Sequence, residues 1–236
     1  MNITAISDLH GYLPDINPCD LLAIAGDISP LYIQRDKELM DLWIKNEFKK
    51  WVMELPCTRV VLVAGNHDFY LQWIDKEGKE RELEEIFEGK LTYLCNELRL
   101  IEIANEVITV FGTPYCHMFG TWPYMLQNDE LAKKFKDVPE HVDLLITHDP
   151  PFALGDTDVV LQESVIRNKG HLGNKPLIDR LDYLYSINGL PACLVCGHIH
   201  SGEHGVSNYY GMKFANVSYL DERYKPVYKP LEFELQ

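Results

Sequence analysis

Apolar residues in this chain fall into short unbroken runs separated by stretches of helical spacing. Such runs at about 2–6, 20–25 and 59–64 predict parallel strands covered on both faces. Between the second and third, Leu39, Leu42, Trp43, Phe48, Trp51 and Val52 approximate one 3.6-period face, which predicts a helix over about 35–54. The charged run at 79–88 predicts a solvated helix with i,i+4 pairs, stopped by Gly89. Segments 98–104 and 106–114 flank Asn105 and predict a hairpin. A short helix near 128–136, a strand at 142–147, a long polar segment at 153–173, an amphipathic helix at 175–187 and a strand at 192–196 follow. From about 207 the tail alternates and is rich in aromatics, as the antiparallel margin of a sheet is. The succession predicts an α/β fold, a sandwich built as one domain over residues 1–236.

Composition removes several alternatives. With 46% hydrophobic and 25% charged residues, the chain as a whole is neither disordered, collagen-like nor coiled coil. Its longest apolar runs, such as Leu21–Ala25 and Val60–Ala64, are strand-sized, so no membrane span is expected. The 22 Lys+Arg against 36 Asp+Glu leave a net charge of −14, which argues against dedicated nucleic-acid binding. Phosphate chemistry stays open, because bound divalent cations invert a local field. Six scattered cysteines make no disulfide framework, and the N-terminus reads directly into a strand without a basic, hydrophobic leader. The expectation is a cytoplasmic protein with reduced thiols.

The chemistry sits at strand ends. Five runs finish in metal-binding side chains: Asp8 and His10; Asp27; Asn66, His67 and Asp68; His148 and Asp149; His198 and His200. In an open α/β sheet the loops beyond the carboxyl ends of strands form the ligand crevice, so these runs converge. Asp8 and His10, like His198 and His200, point the same way if the backbone stays extended. Carboxylates, imidazoles and one amide suit Mn²⁺, Fe²⁺ or Zn²⁺. The donors exceed what one tetrahedral ion needs, and two ions sharing a carboxylate is the economical arrangement.

D-x-H, then G-D, G-N-H-D, H and G-H-x-H, in that order, resemble the calcineurin-like metallophosphoesterase superfamily. THDPPF and GHLGNKP ahead of GHIHSGEHG resemble its small phosphodiesterase branch, the fetal-brain 239 metallophosphoesterase-domain proteins. The resemblance implies a four-layer α/β/β/α sandwich and two divalent ions, with Mn²⁺ favoured. It implies one ion on Asp8, His10 and His200, a second on Asn66, His148 and His198, and Asp27 bridging. His67 matches the non-ligand histidine at the leaving group, and Asp68 is placed to orient it, where GNHE is commoner than this GNHD. The implied reaction is hydrolysis of a small phosphodiester, such as a cyclic nucleotide, by in-line attack of a metal-bridging hydroxide. A phosphomonoesterase or protein phosphatase, or a metal-binding scaffold with little turnover, are the alternatives.

Other residues carry weaker signals. His171 and Asn174 lie in the GHLGNKP loop, which resembles a substrate-side element; Arg167, Lys169 and Lys175 cluster around them, ahead of a helix whose N–H groups would face an anion. His117, His141 and His204 have no partner spacing and read as structural or exposed. Phe69, Tyr70, Phe119 and Trp122 are candidates for stacking a base. Cys193, Cys196, His198 and His200 spell a zinc-like pattern, but the two cysteines point to opposite faces of a strand and read as core thiols.

Overall fold

In the computed structural model, residues 1–104, 106–160 and 170–235 are described, so Asn105, Arg167 and Lys169 lie outside the described residues. In chain order the strands of the first half are β1 (Asn2–Ile6), β2 (Cys19–Ala25), β3 (Cys57–Val63), β4 (Leu91–Leu94), β5 (Glu97–Ile103), β6 (Glu106–Thr113), β7 (Cys116–His117) and β8 (Met125–Leu126). Those of the second half are β9 (Leu144–Thr147), β10 (Val159–Val160), β11 (Gly170–His171), β12 (Cys193–Cys196), β13 (Ser207–Tyr209), β14 (Met212–Asn216) and β15 (Leu231–Glu234). One sheet has the order β15-β1-β2-β3-β4 and the other β13-β14-β12-β9-β6-β5; β7-β8 and β10-β11 are small ladders at the rim.

Strand pairing is parallel through β1, β2, β3 and β4, and again through β6, β9, β12 and β14. Alternation along the strands separates three apolar layers. Ile6, Ile24 and Leu62 face helices that bring Met40, Trp43, Phe48 and Leu71. Ala5, Ala23 and Val61 face the second sheet through Val110, Ile146 and Val195. Leu145, Leu194 and Phe214 meet Leu131, Phe135, Leu177 and Leu181 on the far side. The result is the expected α/β/β/α sandwich. Cys193 faces the inter-sheet layer and Cys196 the helices, which rules out a shared ion between them.

The long first helix is α1 (Lys37–Trp43) and α2 (Lys49–Glu54), joined by a π-helical turn at Ile44–Phe48. Asp36 caps it, its carboxylate accepting from the N–H groups of Glu38 and Leu39. Next come α3 (Phe69–Glu77), α4 (Glu80–Ile86), α5 (Asn128–Phe135) and α6 (Lys175–Ser186). Neither α3 nor β4 is anticipated by the sequence reading. The α4 helix is not purely a solvated face, because Leu83 is buried against Phe87 and Leu91 in the first layer. The tail divides: β13 and β14 close the second sheet, whereas β15 crosses over to pair antiparallel with β1.

Candidate metal centre

The five polar runs meet at the carboxyl ends of β1, β2, β3, β9 and β12, where the two sheets converge on one rim. Hydrogen bonds tie the loops together across long sequence separations. Asp8 accepts from the His198 N–H at 3.0 Å, and Asp27 from the His67 N–H at 2.7 Å. The expected extended backbone is absent here: φ is +55° at Asp8, +42° at His10, +55° at Asp27 and +67° at His198. Left-handed conformations on non-glycine residues cost about 1–3 kcal/mol each and persist where the surroundings over-determine them. His198 and His200 consequently serve different neighbours. His200 lies against Asp8, with 3.2 Å between Nε2 and Oδ1, while the His198 ring lies 5.1 Å from that of His148.

Among the described residues, three donor groups bring their atoms within 4.8 Å of one another: Asp8, His10 and His200; Asp8, Asp27 and His148; and His117, Asp149 and His198. Asp27 Oδ2 stands 3.6 Å from His10 Nε2 and 3.4 Å from His148 Nε2, so it touches both sides of the cluster. His148 donates its Nδ1–H to the carbonyl of Ala25 at 2.7 Å, and His200 its Nδ1–H to that of Asp221 at 2.9 Å. Each bond leaves Nε2 turned into the cluster, the outer-sphere device that orients metal-binding imidazoles. The decisive test of fit is His10. Both of its ring nitrogens are buried without a hydrogen-bond partner among the described residues. Such orphans are costly unless something else takes the lone pair, and a cation does so.

Charge in the cluster is shared between acids and imidazoles. Burial opposes ionisation of Asp8 and Asp27, but His200 beside the first and His148 beside the second hold both below the usual carboxylate range. Burial likewise opposes charge on the two histidines, yet Asp27 lifts His148 to about 10 and Asp8 lifts His200 to about 9. At His10 and His198 burial outweighs the pull of Asp27 and Asp149 respectively and drives each down to about 4.

A family model described as calcineurin-like phosphoesterase matches residues 1–202. The chain belongs to this family. Calcineurin-like phosphoesterases use divalent metals, in keeping with the donor groups here. Metallophosphoesterase domain-containing protein 1 of Homo sapiens is 26% identical over 248 residues, covering 98% of this chain and 69% of its own length. A protein of Emericella nidulans named "Probable rhamnogalacturonate lyase C" is 26% identical over 205 residues; the match covers 86% of this chain and spans only 17% of that relative. Phosphopantetheinyl hydrolase of Mycobacterium tuberculosis shares the fold, with a TM-score of 0.55 and 15% identity over 94% of this chain and 90% of that one.

Asp68 corrects an expectation of the sequence. Its carboxylate does not serve His67. One oxygen accepts from the N–H groups of Asp27 and Gly65, the other from the N–H and hydroxyl of Ser29. Asp68 therefore ties the β2 and β3 loops of this calcineurin-like phosphoesterase together from beneath. Burial and the neighbouring Asp27 push its carboxyl up to about 7. The His67 ring instead donates Nδ1–H to Gln34 Oε1 at 2.8 Å and rests on Trp122, with 4.5 Å between centroids.

The GHLGNKP loop is the second correction. His171 is drawn to Asp158, with 2.6 Å between Nδ1 and Oδ1. Asn174 is fully buried, its oxygen capping α6 at the Leu177 N–H and its amide donating to Asp149. Neither side chain lines the cavity of about 660 Å³ over the cluster; Leu172 between them does. Capping by Asn174 also occupies the α6 terminus, and Lys175 Nζ sits 4.8 Å over the Phe152 ring.

His117 is what the sequence missed. It lines the same cavity, its Nδ1 2.8 Å from the Asp149 carboxylate, and Phe119 beside it stacks at 5.5 Å on His198. Asp149 in the THDPP run was the available signal, since a carboxylate adjacent to a strand-end histidine needs a partner. Of the aromatic candidates, Phe119 and Trp122 line the cavity, whereas Tyr70 is buried with its hydroxyl on Asp41. His204, as expected, is structural, stacked on Tyr228 and bonded to the Ser218 carbonyl.

Close backbone approach holds the cluster shut. A Cβ at Gly197 would overlap Ser7 Oγ and the Asp8 carboxylate. Gly197→Ala is expected to cost about 1–3 kcal/mol, lowering Tm by roughly 2–4 °C per kcal/mol, and to reduce metal content. Thermal unfolding and metal analysis check this; a wild-type Tm with full metal content would show that the approach is not required.

Proposed function

We propose that this protein is a dinuclear-metal phosphoesterase that prefers small phosphodiesters. The observation that carries the reading is Asp27, standing between His10 on one side and His148 on the other. Asp8, His10 and His200 would hold one ion, Asn66, His148 and His198 the second, and Asp27 both. Bound divalent ions, with Mn²⁺ the first choice, supply positive charge to phosphate oxygens and acidify water.

The chain's own residues do the rest. Asp8, Asp27 and Asp68 cross-link the loops so that the donors are set before substrate arrives. His67 stands beside His10, with centroids 4.9 Å apart, and its Nδ1 is occupied. With Nδ1–H held, the protonated ring hands its Nε2–H to the leaving oxygen as the P–O ester bond breaks, and is left neutral. Phe119 and Trp122 wall the cavity with apolar area suited to an organic ester group such as a nucleoside.

No helix among the described residues is long and apolar enough to cross a membrane. A small phosphate ester in the cytoplasm, rather than nucleic acid or a lipid surface, is the substrate setting of this reading.

The test is hydrolysis of bis-p-nitrophenyl phosphate against p-nitrophenyl phosphate with added Mn²⁺. Faster turnover of the diester is expected. A faster monoester reaction makes the protein a phosphomonoesterase, and a fully loaded protein inert to both makes it a scaffold.

A further inference from the structure

His67 has an unexpected support. Gln34 lies between the β2 loop and α1, only 8% exposed, in a segment folded on itself by the Ile33 N–H to Pro30 and Asp36 N–H to Ile33 bonds. Its amide is fixed at both ends: Nε2 donates to the Leu31 carbonyl at 3.1 Å, and Oε1 accepts from the imidazole at 2.8 Å. Turning the amide over would set Oε1 against the Leu31 carbonyl and lose that bond, so Oε1 faces the ring and Nδ1 must donate. Nδ1 is thereby kept protonated, so the proton the imidazolium can give up is the second one, carried at Nε2. Trp122 on the ring face and His10 against its edge restrict the ring plane as well. Asp68, the carboxylate next in the chain, is wholly engaged with Asp27, Gly65 and Ser29.

We propose that Gln34 is the positioning residue of His67, holding its Nδ1–H and ring plane so that the Nε2–H of the imidazolium addresses the leaving oxygen. The inference rests on the reading of His67 as the proton donor to that oxygen. A neutral amide does this without adding a third negative charge beside Asp8 and Asp27, whose carboxylates already crowd the centre.

The experiment uses methyl aryl phosphate diesters whose phenols range from p-nitrophenol to unsubstituted phenol, with Mn²⁺-loaded protein. Poorer leaving groups depend more on a proton donor, so a weakened donor steepens the fall of kcat with leaving-group basicity. Gln34→Met, of similar shape but without an acceptor at that point, is expected to lower kcat on the phenyl ester by about 10- to 100-fold. On the p-nitrophenyl ester the same variant should change little, with KM and metal content unaltered. Gln34→Glu, which restores an acceptor, should bring back the shallow dependence. His67→Ala on the same series separates the two claims. A steep dependence in His67→Ala with a wild-type dependence in Gln34→Met overturns the role of Gln34 and leaves that of His67 standing. A wild-type dependence in His67→Ala overturns the parent reading. A uniform loss on all esters in Gln34→Met, unrescued by Glu, makes Gln34 a folding residue and overturns the inference.

Discussion

Asp27→Ala is expected to strip both ions from the centre and to abolish turnover to at least about 10²-fold below wild type, beyond what loss of an outer-sphere partner does. One Asp27 oxygen stands 3.6 Å from His10 Nε2 and 3.4 Å from His148 Nε2, and the other holds the His67 N–H. Removing it takes a ligand from each proposed ion and frees the loop that carries Asn66. Metal stoichiometry of the purified proteins is the measurement: close to two ions per wild-type chain, and none retained by the variant. One tight ion in wild type, unchanged in the variant, would defeat the dinuclear arrangement.

The same centre predicts a proton count. His148 and His200, lifted to about 10 and about 9 by Asp27 and Asp8, hold protons in the metal-free chain that ions must displace. Because these folded values lie above the ordinary 6.5, the stability they give the metal-free protein is complete below that pH. It is lost as pH rises through 9–10.

His67→Ala is expected to lower kcat by about 10²–10⁴-fold while both ions stay bound. The ring lies beside His10 but belongs to none of the close donor groups, and its Nδ1 is spent on Gln34. His10→Ala differs in kind, because the ring with two orphaned nitrogens is a proposed ligand rather than a proton donor, and its loss should lower metal occupancy. Parallel metal analysis and kinetics on both variants decide the assignment. If His67→Ala sheds metal as readily as His10→Ala does, His67 is a ligand and the division of roles is wrong.

Local chemistry explains which elements could be read in advance. Short apolar runs ending in Gly-Asp, Gly-Asn-His-Asp or Gly-His-x-His have one sensible fate in an α/β sandwich: strands whose carboxyl ends share a rim. The α3 helix was harder, since Phe69–Glu77 follows the polar motif directly and its apolar positions include aromatic side chains of indifferent helix propensity. The β4 strand is a four-residue run whose placement depends on β3 beside it.

Order and type of the apolar and polar runs belong to the sequence alone, and they mark the sandwich, the family and the candidate donors. What each side chain does within the cluster was decided by tertiary structure. Asp68 is one residue from His67 along the chain, yet backbone direction carries its carboxylate under the β2 loop, and Gln34, 33 positions away, takes the ring. Asn174 and His171 share one polar loop in the sequence, but Asp149 claims the first, which is buried, and Asp158 the second, which stays exposed. His117 has no motif of its own and enters the cavity because β9 sets Asp149 against it. Spacing along a chain limits which donors converge; only packing determines which of several close partners each hydrogen-bonding group can reach.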